Sequence, residues 1–152
     1  AAMLAIAHAF ERFGGLAPCI LCLDQREVYW VAMAVAAVGL AANFTPLKGR
    51  FDRLVFAALG LTFLFGVGVA VRHAGAEWDW WPGPAACAAG RGGVSAADMA
   101  ALLSGAKVEM PSCEEAAWRF LGLSMAGWNA IISVGLVVFS ALAALRKEPQ
   151  RD

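Results

Sequence analysis

Residues 120–145 read FLGLSMAGWNAIISVGLVVFSALAAL, 26 consecutive positions without a charged side chain. A helix rising 1.5 Å per residue needs about 20 residues to cross a hydrocarbon core about 30 Å thick. This stretch exceeds that length, so one of its ends is expected in the interface. Two more stretches qualify: 28–47, with 20 uncharged residues, and 54–71, with 18. Buried helices of soluble proteins are usually shorter and interrupted by polar residues. Three such runs in 152 residues therefore predict an integral membrane protein.

The composition agrees. The chain is 61% hydrophobic and 16% charged, whereas a soluble domain carries about 25% charged residues. The hydrophobicity excludes disorder. Twelve Lys and Arg against twelve Asp and Glu leave no basic field to hold phosphates, which argues against nucleic acid as a partner.

A fourth span is incomplete. Ala1 to Phe10 is apolar, but only ten residues precede Glu11 and Arg12, about 15 Å of helix. The expectation is a first span over 1–13 whose start lies before residue 1. A signal peptide fits less well, because no basic n-region is present and the Gly14-Gly15-Leu16-Ala17-Pro18 stretch makes a poor cleavage site. The fold expected is an all-α, four-helix transmembrane bundle, one domain over 1–152, with spans near 1–13, 28–47, 54–72 and 120–145. Glu11 and Arg12 read as a solvated pair at the end of the first span.

Charge orients the bundle. The 46–53 loop and the tail after Leu145 hold six basic residues in 15 positions: Lys48, Arg50, Arg53, Arg146, Lys147 and Arg151. The segments 11–27 and 72–119 hold six in 65. The positive-inside rule puts the first set in the cytoplasm and leaves 14–27 and 73–119 facing outward. Trp78, Trp80 and Trp81, followed by Pro82-Gly83-Pro84, read as an interfacial anchor and turn. Gly60, Gly66, Gly68, Gly122 and Gly127 read as sites of close helix packing, as does the small pair Gly122/Ala126.

The four cysteines, Cys19, Cys22, Cys87 and Cys113, all fall in the two segments that charge alone assigns to the outside. In a bacterial envelope that side is oxidising. Cys19 and Cys22 form a C-x-x-C, which is either a redox pair or half a zinc site. The soluble redox version sits in a βαβ unit that this sequence cannot make. Arg26, four residues after Cys22, shares a helix face with it and can stabilise a thiolate or an anionic acceptor there. Cys87 and Cys113 bracket a long Gly-, Ala- and Ser-rich loop. A bridge between them would either staple that loop or offer a disulfide to another protein's thiols. Four cysteines allow three pairings.

Two thiol pairs at one membrane face point to an electron relay. No G-x-G-x-x-G follows a strand, so a nicotinamide or flavin site is unsupported. His8 and His73 are the only histidines, and no C-x-x-C-H is present. A lipid-soluble quinone suits a site at the bilayer surface. The competing readings are a metal-binding protein using the cysteines with His73, and a structural membrane protein with a stapled loop. No metal site is expected, because the sequence gives no sign that four ligands converge.

Pro18-Cys19-Ile20-Leu21-Cys22-Leu23-Asp24-Gln25-Arg26 resembles the P-C-x-L-C-x-x-Q-R signature of the disulfide bond formation protein B family. Two later stretches are also similar to its members: His73-Ala74-Gly75 through Trp80-Trp81-Pro82-Gly83-Pro84 to Cys87, and Cys113-Glu114-Glu115 through Trp118 to Gly127-Trp128-Asn129. The resemblance runs in order along essentially the whole chain. It implies a four-helix enzyme of the bacterial inner membrane, with its active face toward the periplasm. Such an enzyme reoxidises the soluble thiol oxidase DsbA and passes the electrons to quinone, ubiquinone or menaquinone.

By position, the resemblance implies redox-active disulfides Cys19–Cys22 and Cys87–Cys113. Cys87 would form the mixed disulfide with DsbA, and Cys113 would exchange with Cys19. Cys22 would make the thiolate–quinone charge-transfer contact, and Arg26 would hold the quinone. Gln25 is a further contact candidate, and His73 lies where a family histidine approaches the quinone. The expected partners are DsbA, the membrane quinone pool and the bilayer, with the protein a monomer.

Overall fold

The computed structural model describes residues 1–45, 51–84, 100, 103–105 and 113–146. Four long helices dominate them: α1 (Ala2–Gly14), α2 (Ile20–Ala42), α3 (Asp52–Glu77) and α4 (Met125–Leu145). A two-stranded antiparallel ribbon, β1 (Arg119–Phe120) and β2 (Leu123–Ser124), precedes α4, with Phe120 opposite Leu123. Two helices, α3 and α4, are long and apolar enough to cross a membrane.

The helix ends differ from the uncharged stretches in informative ways. Helix α2 starts at Ile20, eight residues ahead of the uncharged run. Its N-cap is Cys19, in extended conformation, whose Sγ accepts from the Cys22 backbone N–H at 3.3 Å. A side-chain acceptor at this position satisfies one of the orphan N–H groups of the first turn. At the far end Asn43 donates to the Gly39 carbonyl, and the helix stops at Ala42. Helix α3 runs on past Val71 to Glu77, which puts His73 and Glu77 one turn apart on the same helix.

The last helix corrects the sequence reading. It begins at Met125, not Phe120, because Leu121 and Gly122 both have positive φ and form the turn of the β1–β2 ribbon. Ser124 then caps α4 by accepting from the Gly127 N–H at 3.1 Å. Gly122 therefore lies outside any helix, and a Cβ there would meet nothing within 4 Å, so it is no packing residue. A Cβ on Gly68 would also meet open space, and Gly127 faces side chains of its own segment. Close packing is real at Gly66, where a Cβ would come within 2.9 Å of Val28 Cγ1, and at Gly60, opposite Ser140.

The distribution of side chains is that of a bundle in lipid. Leu61, Phe65, Val38, Phe139 and Leu142 are all more than 60% exposed in the middle of helices. Many buried positions on the same helices are small or polar, such as Gly66, Ala70, Ser133, Ser140 and Asn129, with Phe63 and Val28 among the larger apolar exceptions. Lipid tails are as apolar as Leu, so helices associate there through close packing and interhelical hydrogen bonds, not burial of large apolar groups. A compact apolar cluster of Leu4, Tyr29, Ala32 and Phe63 joins α1, α2 and α3.

Arg53 Nε donates to the Ala144 carbonyl at 2.9 Å, so the start of α3 and the end of α4 share one end of the bundle. Cys19, His73, Glu77 and the β1–β2 ribbon occupy the other end, ringed by Phe10, Trp118, Phe120 and Trp128 in successive ring contacts.

Candidate active site

The C-x-x-C spans the N-terminal turn of α2. Cys19 Sγ donates to Cys22 Sγ at 2.9 Å, and Cys19 is almost fully buried. Sharing one proton splits the pair. The hydrogen bond to Cys22, with burial adding to it, pushes the Cys19 thiol up. The same hydrogen bond holds Cys22 below the ordinary thiol range, against the opposing effect of burial. The charge of Arg26 acts in the same sense on Cys22, and that of Glu77 against it. Cys22 is therefore the more acidic thiol of the pair.

Cys113 is disulfide-bonded and completely buried, in one cluster with Cys19 and Leu21 and with Cys22 packed against it. Cys87 lies outside the described residues. Cys19 is thus hydrogen-bonded to Cys22 of its own motif and shares a buried cluster with Cys113 of the distant segment.

Arg26 is held more firmly than sequence spacing shows. Its Nη1 donates to Glu11 at 2.5 Å and its Nη2 to the Ala7 carbonyl at 3.3 Å. Glu11, read from sequence as half of a solvated pair with Arg12, instead pairs with Arg26 across 15 residues. His8 adds a second contact to the same carboxylate.

His73 and Gln25 are inward-facing. Gln25 Nε2 lies 2.7 Å from His73 Nδ1, and His73 Nε2 lies 3.6 Å from Cys19 Sγ and 3.7 Å from Glu77 Oε1. Gln25 Oε1 accepts from Asn129 Nδ2, and Asn129 Oδ1 accepts from the Tyr29 hydroxyl, both at 2.5 Å. A continuous polar ladder therefore runs Cys22–Cys19–His73–Gln25–Asn129–Tyr29, from the cysteine end into the bundle. Unsatisfied polar groups in such an interior cost several kcal/mol, roughly, so each rung requires its neighbours.

Of the seven site residues read from sequence, five (Cys19, Cys22, Gln25, Arg26 and His73) are gathered at one end of α2 and α3, with Cys113 against them. Three members of the ladder and its flank, Tyr29, Glu77 and Asn129, were not chosen as site residues from sequence. Helical spacing of four from Gln25 to Tyr29, and from His73 to Glu77, was the available signal. Asn129 carries none, since it approaches Gln25 across 104 residues.

A groove of about 900 Å³ runs between α2 and α3, lined by Leu21, Val28, Val31, Leu61 and Phe65, with Asp24 and Arg72 in its walls. Leu21 lines this groove and also belongs to the buried cluster of Cys19 and Cys113, so the groove opens beside the cysteine end.

Comparison with known proteins gives a consistent answer. The family profile described as disulfide bond formation protein DsbB matches residues 1–143. A disulfide bond formation protein B of Methylococcus capsulatus is 37% identical over 147 residues, covering 93% of this chain and 85% of the relative. Its counterpart in Marinobacter nauticus is 31% identical over 158 residues, covering 100% and 89%. That of Dechloromonas aromatica is 29% identical over 153 residues, covering 96% and 86%. No solved structure matches the chain significantly. With nearly the whole chain matched and the C-x-x-C, Arg26 and Cys113 gathered at one end of the bundle, the protein belongs to the DsbB family of disulfide bond formation proteins.

Proposed function

We propose that this chain is a protein-dithiol:quinone oxidoreductase of the bacterial inner membrane, which reoxidises a periplasmic DsbA-type thiol oxidase. The observation that carries the reading is the position of Cys19, hydrogen-bonded to Cys22 and in one buried cluster with Cys113. A thiol so placed can exchange with a loop disulfide and still rejoin its own partner.

The electrons move in pairs. A DsbA-type dithiol reduces a Cys87–Cys113 disulfide by thiolate attack through a mixed disulfide on Cys87, and leaves as a disulfide. The Cys87/Cys113 dithiol then reduces the Cys19–Cys22 disulfide, with Cys113 attacking Cys19. The Cys19/Cys22 dithiol finally gives up two electrons and two protons as its disulfide re-forms. Quinone, when bound, supplies the acceptor for both electrons and both protons.

The residues present suit such an acceptor. The Cys22 thiol is held below its ordinary range, and Arg26, fixed by Glu11, gives a guanidinium beside it that favours charge developing on a neighbouring oxygen. His73 and Gln25 lie behind Cys19. They orient that thiol and offer a polar path for its proton. The exposed apolar side chains of α3 and α4 support a setting at a lipid surface. The protein works as a monomer with its cysteine end toward the periplasm, on ubiquinone or menaquinone.

The test is quinone reduction by the purified protein in detergent, driven by a reduced DsbA-type partner. Loss of the quinone absorbance that depends on the dithiol, and is absent in Cys22→Ser, is the expected result. No turnover by folded protein with several partners and both quinone types would overturn the reading.

A further inference from the structure

The cysteine end contains four donor atoms that no step above uses together. Cys19 Sγ, Cys22 Sγ and His73 Nε2 all lie within 4.8 Å of one another. Glu77 Oε1 is 3.7 Å from His73 Nε2. The Glu77 side chain is 5% exposed, and its Oε2 is buried with no hydrogen-bond partner among the described residues. The rest of this desolvated carboxyl group faces His73, a hydrogen bond to Ser124 and the charge of Arg119, so Oε2 is the atom left to take a further ligand.

We propose that the reduced site binds a thiophilic divalent cation, with zinc as the physiological candidate, through Cys19, Cys22, His73 and Glu77. Binding would hold the enzyme in its dithiol state.

One distance already fits four-coordinate zinc, and the two sulfurs and the Glu77 carboxylate must shift to complete the set. Zinc–sulfur bonds of about 2.3 Å and zinc–nitrogen bonds of about 2.0–2.1 Å in a tetrahedron separate sulfur from nitrogen by about 3.6 Å and the two sulfurs by about 3.8 Å. His73 Nε2 already stands 3.6 Å from Cys19 Sγ. The two sulfurs, at 2.9 Å, need only spread, and Cys22 is the less buried of the pair. Two thiolates and a carboxylate against a divalent ion leave one net negative charge, with Arg26 nearby. The thiol protons are released as the ion binds. No electron changes hands, and a Cys19–Cys22 disulfide, having no thiolate, cannot bind in this way.

The ladder behind His73 supplies the orientation that a ligating histidine needs. As it stands, the Gln25 amide N–H donates to Nδ1, which leaves the ring proton on Nε2. Turning over both amides keeps every rung. Gln25 Oε1 then accepts from Nδ1–H, Gln25 Nε2 donates to Asn129 Oδ1, and Asn129 Nδ2 donates to the Tyr29 oxygen. Side-chain amides and a hydroxyl allow either polarity. The flip frees the Nε2 lone pair for the metal, and the Tyr29 O–H, no longer donating to Asn129, turns to Ser133.

The experiment uses cobalt(II) as the probe, added anaerobically to the reduced full-length chain carrying Cys87→Ser and Cys113→Ser, so that only one thiol pair remains. No quinone or DsbA is present, so the outcome is independent of the oxidoreductase reading. The expected result is one equivalent of cobalt with the intense visible bands of four-coordinate geometry and thiolate charge-transfer absorption, displaced by zinc and absent after oxidation. Glu77→Gln and His73→Ala should each weaken binding tenfold or more. Glu77→Asp, which keeps the carboxylate, should retain the four-coordinate spectrum and so separates a lost ligand from a lost fold. Six-coordinate spectra, absence of thiolate charge transfer, or equal affinity in all the variants would overturn the four-donor site.

Discussion

Arg26 on α2 donates to the carboxylate of Glu11 on α1 at 2.5 Å, tying the helix that carries the C-x-x-C to the helix before it. The pair fixes the direction of the guanidinium and leaves its charge acting on Cys22. Glu11 is 37% exposed, so the pair itself adds on the order of 0.5 kcal/mol or less to stability. Its contribution is to position Arg26.

Arg26→Lys keeps the charge but loses the fork. The apparent KM for quinone should rise about tenfold, the loss of one charge-assisted hydrogen bond. Glu11→Gln should raise it less, because Ala7 still holds Nη2. Steady-state kinetics at varied quinone concentration measure both, and unchanged kinetics in Arg26→Lys would remove that residue from the site.

The two thiols should differ in their response to pH. Cys22 is lowered by the hydrogen bond from Cys19, so its thiolate persists as pH falls below about 8.5, the ordinary thiol value, and is lost only through its lowered pKa. Cys19 is raised and stays protonated across the same range. In the reduced protein, iodoacetamide at about pH 7 should alkylate Cys22 first. Cys19→Ala should shift the Cys22 alkylation profile to higher pH. Peptide mapping by mass spectrometry reads both, and equal labelling of the two thiols would contradict the split.

Asn129→Leu removes the middle rung of the buried ladder, leaving Gln25 Oε1 without its donor and the Tyr29 hydroxyl dependent on Ser133. The expected cost is about 1–3 kcal/mol. Tyr29→Phe leaves only one acceptor stranded and should cost less. Denaturation in mixed micelles gives the comparison, and an Asn129→Leu protein as stable as wild type would mean the ladder is not closed.

Glycine substitutions should separate by what faces them. A Cβ on Gly66 meets the stiff, branched Val28 at 2.9 Å, so Gly66→Ala should destabilise by about 1 kcal/mol or more. A Cβ on Gly75 would enter the Trp81 ring, whose Nε1 donates to the Arg72 carbonyl, so Gly75→Ala should displace that indole and change its fluorescence. Gly68→Ala faces open space and should be neutral or slightly stabilising through helix propensity.

By itself the sequence determined the helical membrane class and the family. These follow from runs of uncharged residues and from short motifs, which are local or additive properties. It also put Cys22 and Arg26 on one helix face, since residues four apart share a face. Only the tertiary structure decided that Cys113 packs on Cys19, that Glu11 and not solvent holds Arg26, and that Gln25 reaches Asn129 across 104 residues. It also turned residues 119–124 into a ribbon instead of a first helical turn, because Leu121 and Gly122 adopt positive φ. The physical reason is common to these cases. Buried polar groups in a bundle with little water must find partners, and which ones they find depends on how helices distant in sequence pack, which no local pattern encodes.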